Sequence, residues 1–160
     1  MCYGRTDLGL TEDVAAVVQR VRPQLPIDAP IYSSPLQRCR LLAEALTPTP
    51  RIDARLQEMD FGTWEMQPWS AIDRTALDAW AADPGGFAPP EGESPAQLLA
   101  RVSEFYVDLH ATGVKEAVLI THAGVIKALQ GLLRRLPANE WMQLTFAFSS
   151  VTVMVGRESS

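Results

Sequence analysis

Cysteine and lysine are both scarce, and each scarcity narrows the chemistry open to the chain. The only thiols are Cys2 and Cys39. Two cysteines without a CxxC spacing build neither a disulfide framework nor a zinc site, so free thiols in a reducing cytosol are expected. Lysine occurs only at Lys115 and Lys127, which leaves arginine as nearly all of the basic complement. Arginine presents a planar fork to phosphate, where lysine offers a point charge. HExxH, Cys/His metal spacing, GxSxG and the Walker loop are all missing, so metal catalysis, serine hydrolysis and nucleotide hydrolysis have no support. Neither a metal nor a cofactor is expected. No apolar run approaches the roughly 18 residues of a membrane span. The opening residues, Met1 to Asp7, lack the basic and then apolar stretches of a secretory signal. A cytoplasmic protein with no membrane partner is the expectation.

The 160 residues suit one domain over 1–160, long enough to bury a core without a disulfide or metal staple. With 47% hydrophobic and 21% charged residues, the composition is that of a globular chain rather than a disordered one. A formal net charge of -5 argues against a nucleic-acid partner, which would need a basic surface. It leaves open a small phosphorylated substrate, because a few arginines can dominate one pocket.

Periodicity places the elements. Val14, Val17, Val18 and Val21 fall at helical spacing behind a cap at Thr11, and Pro23 and Pro26 end that helix. A short strand is predicted over 29–33, and Ser34-Pro35 gives the cap-then-proline signature of a helix running to 46. Residues 51–56 are predicted as extended, and 59–69 as an irregular aromatic stretch. A helix follows over 70–82, and then a Pro/Gly-rich loop. Ser94-Pro95 repeats the capping signature before a helix carrying Leu98, Leu99, Val102, Phe105, Tyr106 and Leu109 on one stripe. Residues 117–121 form an apolar run suited to a strand buried on both faces, followed by a helix over 125–136. A last strand is predicted over 145–155. Alternating strands and helices argue for an α/β domain with a mainly parallel sheet.

In such a sheet, ligands bind beyond the carboxyl ends of the strands. The helix opening at Pro35 offers free backbone N–H groups there, with Arg38 in its first turn, which is an anion site by construction. His122 stands where the 117–121 strand ends and the next helix begins, and Gly124 allows close backbone approach. Glu58 ends an extended segment, where burial would raise its pKa and suit it to proton donation. An ordinary salt-bridged glutamate fits the same spacing. His110, late on its helix, is explained by the helix dipole.

Three blocks in order, Ser33-Ser34-Pro35-Leu36-Gln37-Arg38, then Leu56-Gln57-Glu58-Met59-Asp60-Phe61-Gly62-Thr63-Trp64-Glu65, then Thr121-His122-Ala123-Gly124-Val125-Ile126, resemble the histidine phosphatase superfamily, also called phosphoglycerate mutase-like. The opening Cys2-Tyr3-Gly4-Arg5-Thr6-Asp7-Leu8 looks like its α-ribazole phosphatase branch, which acts late in cobalamin nucleotide-loop assembly. The likeness covers essentially the whole chain. It implies a three-layer α/β/α fold and a metal-independent phosphomonoesterase acting through phosphohistidine. It implies roles as well: Arg38 grips phosphate, His122 binds it and stabilises the transferring group, and Glu58 protonates the leaving oxygen and then activates water. Arg5 borders the pocket.

Relatives also carry a strand ending in Arg-His-Gly or Arg-His-Thr, whose histidine is the nucleophile and whose arginine is a second phosphate clamp. The 160 residues hold neither, so the resemblance implies a domain lacking its N-terminal central strand and inactive as written. Met66 stands where relatives usually have Gly. The implied substrate is α-ribazole 5′-phosphate, with a general sugar-phosphate phosphatase and a non-catalytic phosphate-ester-binding remnant as alternatives. Unpaired strand edges leave a homodimer open.

Overall fold

Three parallel strands form the sheet of the computed structural model, which describes residues 1–156. They are β1 (Ile31–Ser33), β2 (Arg51–Ile52) and β3 (Val118–Ile120), ordered β2-β1-β3. Tyr32 sits opposite Arg51 on one side and Leu119 on the other. Parallel neighbours require crossovers. The first crossover is α2 (Gln37–Leu46); the second includes α3 (Arg74–Ala82) and α4 (Pro95–Ala111).

The period-2 alternation of the strands sorts their side chains into two cores. Ile31, Val118 and Ile120 pack with Cys39 and Ala43 of α2, and α1 (Val14–Val21) lies over α2. On the other face, Tyr32 and Leu119 pack against Val102 and Phe105 of α4 and Val125 and Leu129 of α5 (Ala123–Arg134). The Tyr32 and Phe105 rings meet edge to face with centroids 5.6 Å apart. Helices therefore cover both faces of a parallel sheet, giving the three layers that the family resemblance implies.

Several local expectations shift for identifiable reasons. Asp13 caps α1, accepting from the Ala16 N–H at 3.2 Å, so the Thr11 hydroxyl lies outside the helix. α2 begins at Gln37 behind Leu36, which makes no side-chain cap; the Leu36 N–H donates to the Ser34 hydroxyl at 3.2 Å and the Gln37 N–H to Asp7 Oδ1 at 2.7 Å, so these backbone donors are not free as the sequence led one to expect. Of 51–56 only Arg51–Ile52 is strand, because the Asp53 carboxylate accepts from the Arg55 N–H and turns the chain into a 3₁₀ segment, Ala54–Leu56. α3 starts at Arg74 under an Asp73 cap. α4 fits its signature, with the reciprocal Ser94–Gln97 capping box present.

Residues 145–155 are not a strand. β-propensity is realised only against a neighbour, and no ladder partner stands beside this segment among the described residues. Phe148, Val153 and Val155 are 89%, 83% and 86% exposed in consequence.

Candidate active site

The carboxyl ends of β1 and β3 lie side by side, and the Ser34 N–H donates to the Ile120 carbonyl at 3.0 Å just beyond the strands. Two residues after Ile120, His122 sits at the N-cap of α5 with extended backbone and no capping hydrogen bond. Its ring is buried. Arg38, in the first turn of α2, reaches back over the same spot. Its Nε donates to His122 Nδ1 at 3.2 Å, its Nη1 to the Thr6 carbonyl at 2.8 Å and its Nη2 to the Gly4 carbonyl at 2.5 Å.

Glu58 completes the cluster at the start of α5. Its carboxylate accepts from the Met59 N–H at 2.8 Å and the Gly124 N–H at 3.1 Å. A Cβ at position 124 would lie 2.1 Å from Glu58 Oε1, so only glycine admits this approach. The segment leading to Glu58 is clamped from two directions. Thr121 Oγ1 donates to the Leu56 carbonyl at 2.7 Å, and Arg101 of α4 donates to the carbonyls of Arg55 and Glu58. Arg101 is itself fixed by an ion pair with Glu93 at 2.6 Å, largely out of solvent.

The opening loop is held by Glu65. That carboxylate accepts from the backbone N–H groups of Gly4, Arg5, Thr6 and Phe61 and from the Thr6 hydroxyl, at 2.5–3.3 Å. The two carbonyls presented to Arg38 belong to this loop, so Glu65 sets their position. Arg5, between them, directs its guanidinium to Asp60 at 3.4 Å and Glu93 at 3.9 Å instead of into the Arg38–His122 contact. At the end of the loop's support, Met66 adopts φ 62°, the left-handed region that glycine would occupy without strain.

Electrostatics divide the groups. Burial foremost, with the nearby Arg38 and Arg101 guanidinium groups, pushes His122 down to about 3, so its ring is neutral near pH 7. Burial also raises Glu58 above the usual carboxylate range, against the opposing pull of the Met59 and Gly124 N–H groups and the two arginines. Burial alone would raise Glu65 too, but the Thr6 hydroxyl and the backbone donors outweigh it and hold that carboxyl low. One guanidinium, one neutral imidazole and one carboxyl favoured toward its protonated form thus share a small volume. A guanidinium offers anion binding, an imidazole hydrogen bonding or proton exchange, and such a carboxyl a proton.

The structure brings together Arg38, His122 and Glu58, and places Arg5 at the rim on carboxylate partners. His110 is exposed near the end of α4, with Tyr106 stacked on it. Pattern reading of the sequence misses Ser34 as a partner of His122, Cys39 beside the ring, and the supporting roles of Glu65 and Arg101. Their contacts join residues more than 40 positions apart or, for Ser34, were masked by a capping signature. A cavity of ≈ 390 Å³ lined by Asp28, Ile31, Thr47 and Arg51 lies at the amino ends of β1 and β2, the opposite end of the sheet from this cluster.

Parallel strands with helices on both faces, and an arginine, an imidazole and a carboxyl at the carboxyl ends of the strands, define a class of α/β domain with its polar cluster at one sheet edge. The chain belongs to the histidine phosphatase superfamily (branch 1), whose profile it matches over residues 1–160. It is 33% identical over 157 residues to glucosyl-3-phosphoglycerate phosphatase of Mycobacterium tuberculosis, an alignment covering 87% of this chain and 68% of that protein. Among solved structures, mycobacterial glucosyl-3-phosphoglycerate phosphatase complexed with inorganic phosphate superposes with a TM-score of 0.76 at 29% identity, covering 90% of this chain and 78% of that one. A phosphoglycerate mutase from Thermus thermophilus gives 0.65 at 37% identity, covering 82% and 74%.

Proposed function

We propose that these residues form the arginine, imidazole and carboxyl side of a metal-independent phosphomonoesterase that works through a phosphohistidine. In this reading Arg38 and His122 hold the phosphoryl oxygens. Glu58, kept toward its protonated form by burial, gives its proton to the leaving alcohol and later takes one from water. The observation that carries it is the 3.2 Å contact between Arg38 Nε and His122 Nδ1, with Glu58 fixed on the Gly124 N–H at the same helix start. Phosphohistidine chemistry needs an imidazole besides His122. The chain's other histidine is His110, placed on α4, so we propose that the 160 residues alone bind phosphate esters without turning them over.

The opening Cys2-to-Leu8 block supports α-ribazole 5′-phosphate as the substrate. The mycobacterial relatives support a phosphorylated glucosylglycerate instead. Competition of the two esters for one site, read against inorganic phosphate, ranks them. The broader reading is tested by titrating phosphate into the chain and assaying p-nitrophenyl phosphate with a chelator present. Binding without turnover is expected. Absence of binding, or turnover that needs a metal, would overturn it.

A further inference from the structure

We propose that Ser34 is a positioning residue for His122: its hydroxyl accepts the Nε2 proton and leaves Nδ1 as the bare ring nitrogen facing Arg38 and an incoming phosphate. Arg38 Nε can only donate, so at 3.2 Å from Nδ1 it meets a lone pair. A neutral imidazole carries one N–H, which must then be on Nε2, 2.8 Å from Ser34 Oγ. The tautomer follows from the donor capacity of the guanidinium together with this second contact.

Ser34 is built into its place. It is wholly buried, and its own N–H donates to the Ile120 carbonyl, which registers it against the strand that delivers His122. The Leu36 N–H donates to the same hydroxyl at 3.2 Å, so both Ser34 Oγ lone pairs have donors. Ser33 Oγ donates to the Ser34 carbonyl at 2.9 Å and fixes the backbone from the other side. Cys39 Sγ lies 3.8 Å from Nδ1 and 3.5 Å from Nε2, against the ring, where it resists rotation. The remaining charged neighbours are otherwise engaged: Glu58 on the Gly124 N–H and Arg101 on Glu93.

The consequence for ligand binding rests on the phosphomonoesterase reading above. A phosphate drawn to Arg38 meets Nδ1 and not Nε2, because Ser34 occupies Nε2; the bare Nδ1 holds the phosphoryl group by accepting from its P–OH. With only two histidines in the chain, the test is direct. Long-range ¹⁵N–¹H correlation of the imidazoles reports each tautomer, with His110 as internal reference. The wild-type chain should show His122 protonated at Nε2, and added inorganic phosphate should move Nδ1 further than Nε2. Ser34→Ala should give mixed tautomers at His122, and phosphate affinity about fivefold weaker. Should that variant fail to fold, Ser34→Cys, which keeps the shape but accepts poorly, should show the same mixing. A proton on Nδ1 in the wild type, or an unchanged tautomer in the Ser34 variants, would overturn the proposal. Absence of any phosphate response would instead defeat the phosphomonoesterase reading, while the tautomers still decide the role of Ser34.

Discussion

His122 is one residue through which pH acts on this protein. Its folded pKa is depressed to about 3 from an ordinary 6.5, with burial as the leading cause. The folded state therefore binds fewer protons than the unfolded chain between those values, and stability rises with pH across that window. Acid titration of the unfolding free energy should show a component of about 1.4 kcal/mol per pH unit between pH 3 and 6.5. His122→Gln should remove it, and an unchanged slope in that variant would count against a buried neutral imidazole. Glu58 tests the chemistry in the same way. In any preparation that turns over phosphate esters, Glu58→Gln should lower kcat by about 10²-fold or more while affecting phosphate binding far less. Arg38, His122 and Glu58 stood out in the sequence because each follows a strand or extended segment, but local pattern left Glu58 open to an ordinary salt bridge, and the three roles came only as what the family resemblance implies. Ser34 as a partner did not, since its hydroxyl meets a ring 88 positions away.

At the level of elements, the turn that holds the opening loop carries strain. Met66 sits at φ 62°, where its N–H donates to the Cys2 carbonyl at 2.7 Å, and the Cys2 N–H returns a bond to Gln67. Left-handed backbone costs a non-glycine residue about 1–2 kcal/mol, part of which glycine gives back through its freer unfolded chain. Met66→Gly is expected to raise stability by up to about 1 kcal/mol in chemical denaturation, and a loss would show that the Met66 side chain contributes packing not apparent from its exposure. Element boundaries followed the sequence where caps are local, as in the Ser94–Gln97 box. They departed from it where a tertiary partner decides. The 145–155 run has the residues of a strand, yet a strand exists only with a neighbour, and none stands beside it among the described residues.

The whole molecule joins a well-packed three-layer centre to an open side. The parallel α/β sheet was legible because an alternation of strands and helices has few other compact solutions, and its three layers came as what the family resemblance implies. The open side was not. β3 is an edge strand among the described residues, and the 145–155 segment exposes Phe148, Val153 and Val155. Unpaired edges and exposed apolar side chains recruit partners. Sedimentation velocity should show concentration-dependent self-association, and a monomer throughout a wide concentration range would contradict it.

In the reading proposed above, Arg38 and His122 converge on one anion site. Its most direct measurement is calorimetric titration of inorganic phosphate into the wild-type chain, Arg38→Ala, and Arg74→Ala, whose side chain stands in solvent on α3. The expected result is at least about tenfold weaker binding for Arg38→Ala and no change for Arg74→Ala. Equal affinity in all three proteins would show that Arg38 does not hold the phosphate.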